Sequence, residues 1–121
     1  LQDWDNNTAW ARYEDFKISG DLYTLNVGTY DASSTASNGL YYHNGRAFST
    51  WDRDNDASGG NCAQDREGAW WYNACSHVQL TGVYYPNQFA GGWRGIVWYQ
   101  WKGSAYSLKQ AAMKIRETTN E

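Results

Sequence analysis

Aromatic rings must build the interior of this chain, because little else is available to do so. Leu, Ile, Val and Phe together number sixteen in 121 residues, beside 8 Trp and 10 Tyr. A shortage of aliphatic side chains goes with disorder when net charge is high and aromatics are few. The formal net charge is only −3 and aromatics make up 17%, so the chain reads as folded. Each large ring can bury as much area as a leucine, but a Tyr O–H or Trp N–H needs a partner inside. The expectation is a loop-rich domain with many side-chain hydrogen bonds.

The same numbers exclude several function classes. A slightly acidic chain argues against nucleic-acid binding through a basic surface and against a polybasic membrane module. No apolar run reaches membrane-spanning length, so no membrane insertion is expected. The opening LQDWDNN is no signal peptide and reads as mid-protein, inside a strand. The length suits one domain or a piece of one.

Short strands and long connections are expected along the chain. Residues 9–18 carry aromatics at strand-like spacing, and Tyr23, Leu25 and Val27 alternate with polar neighbours. Residues 31–39 read as a polar surface loop, and His43-Asn44-Gly45 as a tight turn. The run 96–101 (IVWYQW) reads as a buried strand turned at Lys102-Gly103. Met113 and Ile115 mark a strand with one wet face, ahead of a frayed tail. Short helices are placed at 64–69 or 107–112.

Two cysteines, Cys62 and Cys75, allow a short-loop disulfide or two buried thiols. No CxxC spacing points to zinc or redox chemistry. Asn6-Asn7-Thr8 is a glycosylation acceptor pattern. With the aromatic richness, these features favour a secreted, extracellular protein.

The stretch WDRDNDASGGNC is the most informative. In an extended segment Asp52, Asp54 and Asp56 project to one side. Such crowding is unfavourable unless a cation neutralises it, and Ca2+ takes mixed carboxylate and carbonyl oxygens. Ala57 stands where an EF-hand loop needs Gly, and Ala63 where it needs Glu, so that motif is rejected. A solvated acidic turn is the plain alternative.

Five segments then carry a family resemblance: residues 42–56 (YHNGRAFSTWDRDND), 60–75 (GNCAQDREGAWWYNAC), 80–85 (LTGVYY), 95–103 (GIVWYQWKG) and 106–116 (YSLKQAAMKIR). In order and spacing they resemble the C-terminal portion of a fibrinogen-like domain, as in ficolins, angiopoietins and invertebrate fibrinogen-related lectins. The resemblance spans nearly the whole chain and implies that 1–121 is the later part of such a domain, without its N-terminal subdomain. The implied fold is α+β: a short twisted antiparallel sheet plus a loop-rich calcium- and ligand-binding subdomain. It implies a calcium site of Asp54 and Asp56 carboxylates with Ser58 and Gly60 carbonyls, Asp52 being an outer charge. It implies a Cys62–Cys75 disulfide and a cis bond between Ala74 and Cys75.

The family's ligand pocket lies beside this loop, and the chain departs from its pattern. Arg66, next to Asp65, stands where an aromatic is usual; Ser76 stands where His is usual, with His77 following; Gly92 stands where Tyr is usual, followed by Trp93 and Arg94. A pocket of Asp65, Arg66, Ala74, Cys75, Ser76, His77, Gly92 and Trp93 is more polar and cationic than an acetyl cage. It suits anionic or hydroxyl-rich glycans. Trp70, Trp71, Trp98 and Trp101 are expected in the core, and His43 in its turn.

The resemblance thus implies a secreted, calcium-dependent, lectin-like module for microbial or host glycans in innate immunity, made multivalent by clustering. The alternative is an angiopoietin- or matrix-type module that binds a protein receptor, with Tyr85, Phe89 and Trp93 as anchors. A clotting-type acceptor for a peptide amino terminus needs an anionic pocket, which Arg66 and Trp93 oppose. No nucleophile elbow, HExxH or cysteine–histidine pattern suggests an enzyme.

Overall fold

Two antiparallel strand pairs, each two or three residues long, form the only named sheets among the described residues. The computed structural model describes residues 1–88 and 91–117. Strand β1 (Lys17–Ser19) pairs with β2 (Thr24–Asn26), Ile18 facing Leu25. Strand β3 (Val78–Gln79) pairs with β4 (Val97–Trp98), Val78 facing Trp98. Helix α1 (Cys62–Arg66) lies after the acidic loop, and helix α2 (Tyr99–Lys102) follows β4 directly. A 3-10 turn covers Leu40–His43.

Side-chain oxygens set several of these boundaries. Asn61 caps α1 by accepting from Gln64 N at 3.1 Å, and Glu67 ends it in the left-handed region at φ 56°. Asn44-Gly45 forms a turn closed by Arg46 N to His43 O at 3.2 Å. Only Gly45 takes a positive φ there, 79°, which is where glycine is needed in a type II turn.

Trp70, Tyr72, Val78, Trp98, Leu108 and Leu40 share one buried cluster, with Trp71 and Trp101 packed against it. Several polar tips of the rings find carbonyls. Trp4 Nε1 donates to Ser107 O at 2.9 Å, Trp71 Nε1 to Tyr23 O at 2.8 Å, and Trp98 Nε1 to Ser37 O at 3.2 Å. Buried Trp70 Nε1 is the exception, with no partner. Gln79, also buried, gathers loop ends: its Nε2 donates to Arg66 O at 3.2 Å and Gly95 O at 3.0 Å, and its Oε1 accepts from Tyr72. Gly82 must be glycine at this junction, since a Cβ would lie 2.3 Å from Gln79 Nε2 and Gly95 O.

Two buried charged or titratable groups tie distant segments together. Asp3 receives Lys102 Nζ at 2.8 Å and the Asn7 backbone and side-chain N–H groups. Burial opposes its ionisation, but Lys102 and Asn7 prevail and hold its pKa down at about 2. The fully buried His43 joins three segments. Its Nδ1 lies 2.8 Å from Trp71 O, while Nε2 accepts from His77 N at 3.1 Å and Val78 N at 3.0 Å. A carbonyl accepts and two N–H groups donate, so the ring is neutral with its proton on Nδ1.

Several expectations need correction. The fold class holds, α+β and loop-rich, but the antiparallel sheet is two separate pairs among the described residues. The run 96–101 is strand only at Val97–Trp98 and then coils into α2. Among the described residues, residues 9–18 are not one strand: they form a lone bridge of Tyr13 with Tyr30, and then β1 at the end. Tyr23 sits in a turn at φ 53° and is exposed, so the alternation there is not a strand of that length. Residues 107–112 form no helix: Leu108 is held extended by N–H donation to Ile96 O. Met113 and Ile115 are exposed outside any strand, because a strand needs a partner for its N–H and C=O groups. The loop 31–39 is not wholly superficial, since Ala36 is fully buried.

Burial pushes the His43 pKa from 6.5 down to about 4. The unfolded chain binds a proton at higher pH than the folded one, so the stabilisation is complete above pH 6.5 and fades as pH falls toward 4. That linkage is worth on the order of 3 kcal/mol. His43→Leu, which strands two N–H groups and a carbonyl, is expected to lower Tm markedly at neutral pH. It is also expected to flatten the fall in Tm between pH 6.5 and 4, read by thermal melts of both proteins.

Candidate functional site

The acidic loop folds around its own carboxylates. Asp56 Oδ1 accepts from Ser58 N at 2.9 Å, and Oδ2 accepts from Cys62 N at 2.8 Å. Asp54 Oδ1 accepts from Asp56 N at 3.2 Å, and Ser58 Oγ from Gly60 N at 3.2 Å. Such turns come readily to Asp and Ser, which mimic a backbone acceptor two residues back. Asn55 fastens the loop to the body through Ser49 Oγ and Phe48 O, both at 3.0 Å.

Two of the three expected carboxylates come together. Asp56 is pushed above the usual carboxylate range, by burial first and then by the neighbouring negative Asp54, while the Cys62 and Ser58 N–H groups oppose the rise. Asp52 turns away to Thr50 Oγ1 at 2.7 Å, a bond that lowers its pKa. Among the described residues no group of three or more His, Cys, Asp or Glu side chains gathers for a metal. A pair of carboxylates amid backbone carbonyls is a donor set for a hard cation such as calcium, not for zinc.

Beyond the loop, Cys62 and Cys75 are joined in a disulfide with Cα atoms 5.5 Å apart. The Ala74–Cys75 peptide bond is cis. Tyr42 Oη donates to Ala74 O at 3.1 Å, and Asn73 Nδ2 to Tyr42 O at 2.9 Å. This places the 3-10 turn alongside the disulfide loop.

An aromatic surface grows from that junction. His77 stacks on Tyr42 with centroids 3.9 Å apart and rings nearly parallel. Tyr41 meets His77 edge-on at 5.9 Å. Trp93 lies 4.9 Å from Tyr99, and the Arg66 guanidinium sits over the Trp93 ring at 5.4 Å. Gln100 Nε2 is 3.0 Å from His77 Nδ1; the amide donates, so Nδ1 is the ring's acceptor. Burial lowers the His77 pKa, keeping the ring neutral at physiological pH. Trp93 is held at φ 68° by N–H donation to Ser104 O at 2.8 Å.

Most of the expected pocket residues meet here, with differences. Arg66 is largely covered: its Nε lies 3.5 Å from Asp65 Oδ2 and has no hydrogen-bond partner. Arg94 Nε donates to Asp65 O at 3.0 Å. Ala74 and Gly92 are exposed, and Cys75 half-buried. Ser76 is buried at 5% exposure and offers little to a ligand. Phe89 lies outside the described residues. Tyr41, Tyr42, Tyr99 and Gln100 were not anticipated at this surface.

The family model for the C-terminal globular domain of fibrinogen beta and gamma chains matches residues 1–118. The chain belongs to the fibrinogen C-terminal domain family. It is 42% identical to mouse fibrinogen-like protein 1, over 96% of this chain and 41% of that protein. It is 44% identical to human angiopoietin-related protein 7, over 96% of this chain and 34% of that protein. With human microfibril-associated glycoprotein 4 it shares 44% identity, over 96% of this chain and 48% of that protein. The chain thus spans less than half the length of these relatives. Among solved structures, the fibrinogen-like globe domain of human ANGPTL6 superposes with a TM-score of 0.85 at 39% identity, over 90% of this chain and 50% of that one. A lamprey fibrin D-dimer complexed with the peptide ligand Gly-His-Arg-Pro-amide superposes at 0.84 and 32% identity, over 90% of this chain and 41% of that one.

The disulfide closes a short loop between α1 and the cis bond. Replacing both cysteines by serine is expected to cost roughly 3 kcal/mol by loop-closure entropy. Urea unfolding of the double variant, with a lower midpoint and a slope no smaller than that of the wild type, is the check.

Proposed function

We propose that this chain is an extracellular recognition module that binds a protein partner through the surface built on Tyr41, Tyr42, His77, Trp93, Tyr99 and Arg66. The observation that carries the reading is the packing around Trp93, whose ring lies 4.9 Å from that of Tyr99 and 5.4 Å beneath the Arg66 guanidinium. Trp, Tyr and Arg are the residues that dominate protein–protein binding energy. Tyr41 and Tyr99 are exposed at 57% and 44% and available to a partner. The relatives' names, angiopoietin-related and microfibril-associated, point the same way, as does the peptide ligand in the lamprey fibrin structure. Secretion accords with these relatives. No helix among the described residues is long and apolar enough to cross a membrane. The reading calls for no catalysis.

Glycan recognition, with an innate-immune role, has less behind it. Arg66 occupies the position of an aromatic wall and is spent on Trp93 and Asp65. An acceptor for a peptide amino terminus is disfavoured by the same guanidinium. Clustering of copies through upstream regions would raise the avidity of either kind of contact.

Calcium belongs to the same reading, held by Asp54 and Asp56 with Ser58 and Gly60 carbonyls and with Asp52 as an outer charge. What supports it is the closeness of the Asp54 and Asp56 carboxylates in one short loop, where burial first and the Asp54 charge after it raise the Asp56 pKa. An ion there relieves that repulsion and stiffens the segment leading through Cys62 to Arg66.

Binding is tested with a panel of receptor ectodomains by surface plasmon resonance, with a glycan array in parallel. Trp93→Ala and Tyr99→Ala are each expected to weaken a protein partner about 30-fold, the scale of a 2 kcal/mol hot spot. Glycan binding in the absence of any protein partner, undiminished in Trp93→Ala, overturns the reading.

Calcium is tested by thermal melts with the ion and with chelator. Calcium is expected to raise Tm by several degrees, and Asp54→Ala and Asp56→Ala to abolish the rise. Because the Asp56 pKa is raised in the fold, its ionised form destabilises the ion-free protein. The chelated protein therefore gains stability as pH falls through the Asp56 titration, while the calcium-dependent increment shrinks over the same range.

A further inference from the structure

The sequence holds one Asn-x-Ser/Thr acceptor pattern, Asn6-Asn7-Thr8, and the function above does not use it. We propose that Asn6 carries an N-linked glycan. This rests on the extracellular part of the reading just given.

The local geometry separates the two adjacent asparagines. Both lie in a tight turn in which Asp3 N donates to Asn7 O at 2.9 Å and Asn6 N to Asp3 O at 3.2 Å. Asn7 is committed to the fold: its Nδ2 donates to Asp3 Oδ2 at 3.0 Å, helping to hold the buried carboxylate that pairs with Lys102. Asn6 is exposed, with φ 65°, and Thr8 is exposed two residues on. Among the described residues the Asn6 side chain bonds through its oxygen alone, Oδ1 accepting from Lys109 Nζ at 2.9 Å and from Gln2 Nε2 at 3.4 Å. An ammonium can donate only to the oxygen, so the amide orientation is fixed by chemistry.

That orientation leaves Nδ2 without a hydrogen bond to the described residues. In N-glycosylation a lipid-pyrophosphate-linked oligosaccharide supplies the sugar. The Nδ2–C1 bond forms, the C1–O bond to pyrophosphate breaks, one Nδ2 proton goes to a base, and the lipid pyrophosphate departs. Oδ1 remains a carbonyl oxygen. Both the Lys109 and the Gln2 bonds therefore survive attachment, and the fold accommodates the glycan without giving up a contact. Asn6's partners, Gln2 and Lys109, belong to neither the aromatic surface nor the acidic loop.

The chain is expressed behind a vector-supplied leader in a eukaryotic secretory host, alongside Asn6→Gln and Thr8→Ala. Wild type is expected to migrate as a heavier species that N-glycan amidase collapses to the unmodified position. Both variants are expected to migrate there without the enzyme. Thr8→Ala keeps Asn6 and its bonds, so a single cooperative melt shows that the variant is folded. Secreted wild type with an unmodified position 6 in its peptide mass spectrum overturns the proposal. So does a mass shift that persists in Thr8→Ala. The partner-binding reading fails separately, in the Trp93→Ala measurement.

Discussion

A single neutral imidazole joins the parts of this domain that matter for recognition. His43 reaches the carbonyl of Trp71 on one side and the N–H groups of His77 and Val78 on the other. It thereby fixes the 3-10 turn, the disulfide segment and β3 to one another. Those are the pieces that carry Tyr41 and Tyr42, the cis bond, and His77. With β3 only two residues long, a ladder alone has too few bonds to set this arrangement. The role needs a ring that donates at one end and accepts at the other, which only the uncharged form of histidine provides. Burial enforces that form.

The aromatic composition explains why so much of the backbone is irregular yet ordered. Large rings fill a core with few residues, and their polar tips fasten loops that lack a strand partner. Trp98 does this for Ser37, and Trp71 for Tyr23. Gln79 does it without a ring, drawing the end of α1 and Gly95 to one point. The recognition surface is an outgrowth of this interior. Trp93 packs on Tyr99, the first residue of α2, and Arg66 arrives from the end of α1.

What could be read from the sequence follows the range of the forces involved. The acidic loop was legible because Asp54, Asp56 and Ser58 bond to groups within a few residues of themselves. The tight turn at Gly45 was legible for the same reason, and the helix near Arg66 nearly so, displaced by two residues because Asn61 is its cap. The family resemblance supplied the Cys62–Cys75 pairing, the fold class and the cis bond, none of which local chemistry specifies. The strand expected at 96–101 failed because apolar runs do not distinguish a strand from a helical turn. Met113 and Ile115 failed because alternation states a preference and not a partner. At the surface, Tyr42 on His77 is a contact across more than thirty positions, and no spacing rule reaches that far.

The side-chain acceptors that hold the acidic loop also bear on how the domain can diverge. Variation in most proteins collects in connecting segments, which tolerate exchange because their backbone groups face water. Here Asn55, Asp56 and Ser58 stand in for the missing ladder. Drift toward new specificity is thereby steered away from this loop and onto ring positions such as Tyr41 and Tyr99, whose replacement changes the face presented and leaves the scaffold intact.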